Sequence, residues 1–414
     1  MRKIIAGLDV GSENIKLIVA ESIKGHIHVL AVSCIPSLGI KRGFVVDPNA
    51  LLSKLQEAFS KCEAMLGLKV SKVVICVPSD DTSFMMMEGS TTIHNDEHII
   101  GQNDVIRAMQ ASTYNKIEEN QEIVFLEPVS FLIDDERTVK NPVGQEGIKL
   151  TVKSLLATVP RKNIYAIVKC LERLGITVVD YTLGAIGDYK EAEKPMMHDV
   201  AGAIVNIGYQ TTTVAIFHKG LLTNISTLNV GAINVEHDLS YIFGLQKSDA
   251  KIVKRTLASA HKRGVSASVH KDFTSKDGKT VTISEYEASE VASSRLEEIL
   301  KLAKKEINLL TKKEIHYIMI TGGVSEMANF SLLVEEIFGH QAKIINIREL
   351  GVRSNIYSTA LGLIKYYDEK TRTQGVDFSI FNDEETEELS NVNKRINFGE
   401  NSILGKLFGY FFDN

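Results

Sequence analysis

At 414 residues, with 44% apolar and 24% charged side chains and a formal charge of −5, the chain exceeds one ordinary core and suggests two or three domains of about 150 residues each. The mild acidity excludes a global basic field that would gather nucleic acid, so a phosphate-bearing ligand needs a local site. Cys34, Cys62, Cys76 and Cys170 stand far apart with no CxxC pair, which argues against zinc or a disulfide framework and for reduced core thiols.

The apolar run that follows Arg2 and Lys3 stops at Asp9, too early for a signal peptide. Residues 4 to 32 alternate apolar runs with turns at Gly11-Ser12 and Lys24-Gly25, which predicts a meander of antiparallel strands. Helical spacing follows over Asn49 to Leu66, then "KVVICVPS" reads as a buried strand ending at Pro78. From Phe84 to about Val159 the character changes to short polar strands around one helix near Asn103 to Thr113, as expected of an inserted small domain. "PRKNIYAIVKCLERLGITVVDY" resumes helix then strand, with Gly175 closing the helix.

A second strand, glycine turn and strand then begins at Ala203. Asp9 corresponds to Asn206 and Gly11 to Gly208, a constant offset of 197, which suits two similar domains in tandem and not a solenoid. Its own insertion, about Gly244 to Lys313, holds two helical stretches around a polar hairpin turning at Asp277-Gly278. "IHYIMITGGVSEMANFSLLVEEIFG" reads as strand, Gly-Gly turn and helix, after which residues 369 to 401 are polar without a trusted period and read as a tether. His94 and His98 are four apart but lack a third ligand for zinc.

In "GLDVGSENIK" a carboxylate, Asp9, ends a strand where Gly11-Ser12 lets the backbone turn N–H groups and a hydroxyl toward phosphate. Asp9 would stand near Mg²⁺ through water. Such a hairpin alone is more often an ordinary glycine turn. Two of them, plus Thr321-Gly322-Gly323 before a helix, would surround a nucleotide from both sides. Here the chain resembles the actin-like ATPase superfamily and, within it, the FtsA family of bacterial cell-division proteins. The pieces that carry the likeness are "GLDVGSENIK", "GLKVSKVVICVP", "NPVGQEGIKL", "AIVKCLERLGI", "SDAKIVK", "IMITGGVSEM" and "STALGLIKY", in that order, with a terminal amphipathic segment.

The resemblance implies an α/β, actin-like (ribonuclease H-like) two-domain fold around ATP and Mg²⁺, with inserted subdomains and a C-terminal amphipathic helix. Domain 1 would take residues 1–83 and 159–196, with 84–158 inserted. Domain 2 would take 197–243 and 314–368, with 244–313 inserted, before a 369–400 linker and a 401–414 membrane helix. The implied nucleotide-binding residues are Gly11, Ser12, Glu13, Asn14 and Lys16 on the first loop. On the second they are Asn206, Gly208, Tyr209, Gln210, Thr211 and Thr212, joined by Lys251, Lys254, Gly322, Gly323 and Val324. Asp9 and Asp188 are the catalytic candidates.

Four departures from the family pattern weaken hydrolysis. Asn206 replaces an Asp and cannot supply its charge to a metal. Tyr209 and Gln210 replace glycines and limit backbone approach. Lys251 stands where a Glu would grip the ribose, and "LGAIGDYKEA" replaces a small-residue stretch beside the hydrolytic water. The expectation is ATP binding with slow or absent ATPase activity.

On a helix, Ile403, Leu404, Leu407, Phe408, Phe411 and Phe412 of "NSILGKLFGYFFDN" share one half, opposite Ser402, Gly405, Lys406, Gly409 and Asp413. A terminal helix docked on its own core is the bland alternative, but the tether and three phenylalanines on one stripe favour a lipid surface. In "SEYEASEVASSRLEEILKLAKKEI" the basic residues would by default be a solvated face. The resemblance makes Arg295, Lys301 and Lys305 candidate contacts for the acidic C-terminal tail of the tubulin-like GTPase FtsZ. It further implies actin-like self-polymers, other division proteins contacting residues 84–158, and a peripheral place on the cytoplasmic face of the membrane at the septum, without nucleic acid. A sugar-kinase-like phosphotransferase, a pilus-assembly scaffold and a chaperone are the rivals. No dedicated carboxylate base, the terminal helix, and the lack of a later peptide-binding domain argue against them in turn.

Overall fold

The computed structural model describes residues 2–386 except 115, 377 and 383, together with 389. In chain order the first lobe starts with β1 (Arg2–Val10), β2 (Asn14–Ile23), β3 (His26–Pro36), and the short pair β4 (Ile40–Lys41) and β5 (Phe44–Val45). Helix α1 (Pro48–Leu66) follows because Asp47 caps it, accepting from the Asn49 and Ala50 N–H groups at 3.1 Å, with Pro48 in the first turn. Then come β6 (Lys72–Val77) and an insertion of β7 (Ser83–Thr92), α2 (Gln102–Thr113), β8 (Gln121–Ile133), β9 (Arg137–Val139) and β10 (Lys149–Pro160). Helix α3 (Lys162–Arg173) and β11 (Thr177–Leu183) return to the first lobe, and α4 (Gly184–Ala192) leads out of it.

The second lobe runs β12 (Ala201–Ile207), β13 (Thr212–His218), β14 (Leu221–Leu228), α5 (Ala232–Ile242), α6 (Lys247–Thr256), β15 (His270–Thr274) and β16 (Thr280–Ser284). Helix α7 (Glu285–Leu310), β17 (Tyr317–Thr321), α8 (Phe330–Phe338) and β18 (Ala342–Ile344) complete it, and α9 (Ser358–Thr373) returns to the first lobe. The two main sheets share one plan. Their orders are β11-β6-β1-β2-β3 and β14-β13-β12-β17-β18, each with an antiparallel meander joined to parallel strands. The offset of 197 is thus a structural repeat: an apolar strand, a tight corner, and a partner strand running back.

Strand β12 shows how the lobes join. Its side chains alternate across the sheet. Ala203, Val205 and Ile207 enter the second lobe's own core, while Ile204 enters the core of the first lobe. The same shared core takes Phe217, whose ring stacks on Tyr189 of α4 at 4.2 Å between centroids. Helices α4 and α9 cross so tightly that a Cβ on Gly362 would overlap the Gly187 carbonyl, so both positions demand glycine. Packing therefore binds the lobes at these helices and leaves a polar gap above them.

Two sequence expectations need adjustment. The strands of the insertion are not all short: β8 and β10 span 13 and 12 residues. Their far ends carry Val124, Phe125, Leu155, Ala157 and Val159 into the first lobe's core, which is why they extend so far. The first part of the linker expected from residue 369 is folded against the first lobe. Helix α9 continues to Thr373, the Ile380 N–H donates to the Ile4 carbonyl at 2.9 Å, and Ile380 and Phe381 are buried. Phe378 meets Tyr367 edge-on at 4.9 Å. Three apolar residues among polar ones are enough to dock this irregular segment beside β1, and no periodicity announces them. Residues 401–414, including the six apolar residues of the expected membrane helix, lie outside the described residues.

Candidate functional site: the cleft between the lobes

Both glycine corners are closed by the same bond. The Gly11 N–H donates to the Asn14 carbonyl at 3.1 Å, and at the equivalent place the Gly208 N–H donates to the Thr211 carbonyl at 2.9 Å. Strand register then puts Asp9 opposite Lys16 and Asn206 opposite Thr213. The first corner carries an ion pair, Lys16 Nζ to Asp9 Oδ2 at 2.7 Å, both side chains mostly buried. Burial works against the Lys16 charge, but the Asp9 carboxylate outweighs it and holds the ammonium's pKa above the usual lysine range. Cys76, at the end of β6, places its thiol 3.5 Å from Asp9 Oδ1.

The second corner is neutral. Asn206 donates through Nδ2 to Asp188 Oδ2 at 2.7 Å, and the Ser358 and Thr359 hydroxyls donate to Asp188 Oδ1 at 2.7 and 2.9 Å. Asp188 is only 1% exposed. Burial pushes its carboxyl up to about 6, and those three donors limit the rise. Asp188 is thus a buried carboxyl with three fixed donors at the floor of a cleft.

The two corners face one cavity of ≈ 250 Å³. Asp9, Gly11, Ser12, Glu13, Asn14 and Lys16 line it from the first lobe, and Asn206, Gly208, Tyr209, Gln210 and Thr211 from the second, with Asp188 on the floor and Gly322 and Gly323 beside it. Gly322 adopts a φ of 100°, and a Cβ there would strike the Ile207 carbonyl, so this glycine serves the crossing of two strands' ends. Four of the expected nucleotide residues do not line the cavity. Thr212 is buried and donates to the Val230 carbonyl at 2.8 Å, and Val324 belongs to the second core. Lys254 is buried against Glu236 at 2.5 Å, and Glu236 also accepts from the Tyr209 hydroxyl at 2.8 Å. Lys251 pairs with Glu13 at 2.7 Å.

Sequence reasoning missed the hydroxyls of Ser358 and Thr359, which lie in "STALGLIKY" and received no role there. It missed Asn355, Ser79 and Thr227 of the cavity wall as well. Among the proposed peptide contacts, Arg295 holds Asp238 through two N–H groups at 2.5 and 3.0 Å and also Glu298, Lys301 holds Glu297, and Lys305 is exposed.

The donor set suits phosphate: two backbone corners, the Ser12 hydroxyl, the Gln210 amide and the Lys16 ammonium converge on one cavity. A divalent cation has less. Among the described residues no cluster of three or more His, Cys, Asp or Glu side chains is placed to hold a metal, and Asp9, the residue expected beside Mg²⁺, is paired with Lys16.

A family model described as cell division protein FtsA matches residues 203–362, and a second, the SHS2 domain inserted in FtsA, matches 81–158; together they take in more than half of the chain. The chain is 26% identical to the cell division protein FtsA of Bacillus subtilis over 375 residues, covering 90% of this chain and 85% of that protein. Against that of Escherichia coli it is 25% identical over 381 residues, covering 88% and 90%. Among solved structures it is similar to MreB5 of Spiroplasma citri bound to AMPPNP (TM-score 0.57, 14% identity, 90% of this chain and 99% of that one). It is also similar to the PilM-PilN type IV pilus biogenesis complex (TM-score 0.58, 15% identity, 87% and 97%). At such identities these likenesses establish an actin-like fold and nothing finer. With both lobes, the inserted sheet and the two family models in agreement, the chain belongs to the FtsA family of cell division proteins.

Proposed function

We propose that this protein binds the phosphates of ATP, with Mg²⁺, between its two glycine corners, hydrolyses it slowly or not at all, and acts chiefly as a polymerising adaptor. In this reading it joins the C-terminal tail of FtsZ to the cytoplasmic face of the membrane at the division septum. The observation that carries the nucleotide reading is the convergence of Gly11 to Lys16 and Gly208 to Thr211 on one cavity. Support for slow turnover comes from Asn206, whose amide supplies no charge to a metal and is already engaged with Asp188. The AMPPNP in the MreB5 structure speaks for nucleotide in this fold.

Among the described residues no helix is long and apolar enough to cross a membrane. In this reading attachment falls to the apolar residues of 401–414, where each large apolar side chain buried in lipid contributes roughly 1.5–3 kcal/mol. One such helix binds reversibly, and a polymer displaying many binds tightly by avidity. Arg295 and Lys301 would exchange their present acidic partners for those of the FtsZ tail, with Lys305 beside them, while residues 84–158 offer the surface for neighbouring subunits and other division proteins. Deleting residues 401–414 is expected to release the folded protein from liposomes in a sedimentation assay; unchanged sedimentation would remove the anchor. Nucleotide extracted from the purified protein should be adenine nucleotide in substoichiometric to full occupancy, and its absence at saturating ATP would remove the nucleotide reading.

A further inference from the structure

The cleft is bridged by side chains of its own walls. Glu13, on the first corner, accepts from Lys251 Nζ and from Arg255 Nη2, each at 2.7 Å, and both cations belong to α6 of the opposite lobe. The Arg42 N–H donates to Gln210 Oε1 at 2.6 Å, and the Ser79 and Thr227 hydroxyls meet at 2.9 Å, again first lobe to second. Exposure rises outward, from 1% at Asp188 on the floor to a side-chain value of 21% at Glu13, 33% at Lys251 and 55% at Arg255. These bridges are at the rim, across from the α4–α9 crossing where the lobes are packed.

From this geometry we propose that Glu13, with Gln210 and Ser79, forms a clasp that holds the two lobes closed over the cleft without any ligand, a role independent of whether nucleotide binds there. The cations that face Glu13 explain its sign. Burial raises the Glu13 carboxyl, but the hydrogen bond from Lys251 and the charges of Lys251, Lys254 and Arg255 more than offset this and keep it ionised. Lys251 is in turn fixed over the Tyr209 ring, 5.4 Å from its centroid, so the cation is presented and not free to roam. One exposed ion pair contributes little, but two cations on one partly buried carboxylate, backed by two neutral bridges, make a network that shifts an open–closed equilibrium.

The test uses the ligand-free full chain. Glu13→Gln is compared with wild type by hydrogen exchange at the amides of residues 11–14 and 208–212 and by small-angle scattering, with thermal unfolding as the check on folding. A charge-reversed variant, Glu13→Lys with Lys251→Glu and Arg255→Glu, is measured alongside. The expected result is exchange several-fold faster at both corners and a larger radius of gyration for Glu13→Gln, with both restored in the charge-reversed variant. Exchange and radius equal to wild type in Glu13→Gln, or a charge-reversed variant as open as Glu13→Gln, would overturn the clasp. Because no nucleotide is present, either result stands apart from the fate of the nucleotide reading.

Discussion

The first corner and the second are the same backbone with different electrostatics. Asp9 and Lys16 face each other as a buried pair, while the equivalent Asn206 and Thr213 carry no charge at all. Both charges are missing together: a carboxylate at position 206 would stand against Asp188, and the facing strand offers Thr213 and no ammonium to balance it. The acidic group of the second side is instead Asp188, one layer below, where Asn206 serves as hydrogen-bond donor. The comparison teaches that the shape of a corner and its charge are separable features, and that this chain keeps the closed corner in both lobes.

The difference is broken most strongly at the first corner. Lys16→Met leaves Asp9 buried and unpaired and is expected to cost roughly 3–5 kcal/mol in denaturant unfolding, most of it recovered in the double variant with Asp9→Asn. Thr213→Val, the matching change in the second lobe, should cost under about 1 kcal/mol because no ion pair is lost. Equal losses at the two positions would contradict the asymmetry.

Asn206→Asp makes the corners alike. It sets a second carboxylate against Asp188 where a 2.7 Å hydrogen bond now stands, so the protein should lose roughly 2–4 kcal/mol at pH 8, less at pH 5 where the pair shares a proton. Millimolar Mg²⁺ should return part of that stability and raise any ATPase rate. A variant as stable as wild type without Mg²⁺ would show that Asn206 does not press on Asp188.

A smaller effect than that of Lys16→Met concerns pH. Because the folded pKa of Asp188 is raised to about 6, the folded state holds its proton longer than the unfolded chain does. Stability from this group is therefore full below pH 4 and lost as pH rises through 6, by about 2 kcal/mol between those values. Glu191, pushed up to about 7 by burial, adds a slope of its own, so the wild type is read against Asp188→Asn, in which the Asp188 share should vanish. Parallel stability curves for the two proteins would refute the shift.

Much of this was legible in the sequence because the corners are local. A polar residue ending an apolar strand, a glycine two positions on, and a returning strand form a pattern that backbone chemistry alone explains, and its repetition at 197 positions exposed the second lobe. What stayed hidden is long-range. Ser358 and Thr359 carry no signal of their own in "STALGLIKY" until α9 crosses α4 and brings them to Asp188, 170 and 171 positions away. Glu13 reads as a phosphate-loop residue until the second lobe sets Arg255 against it, 242 positions on. The docking of Phe378, Ile380 and Phe381 was masked by the polar residues among them.

The central claim is that the two corners grip a single phosphate chain, and a structure of the protein with ATP and Mg²⁺ tests it directly. The account predicts phosphate oxygens within hydrogen-bond reach of the Gly11–Ser12 turn and Lys16 on one side and of Gly208 to Thr211 on the other. A nucleotide held by one corner alone, or bound outside the cleft, would contradict it.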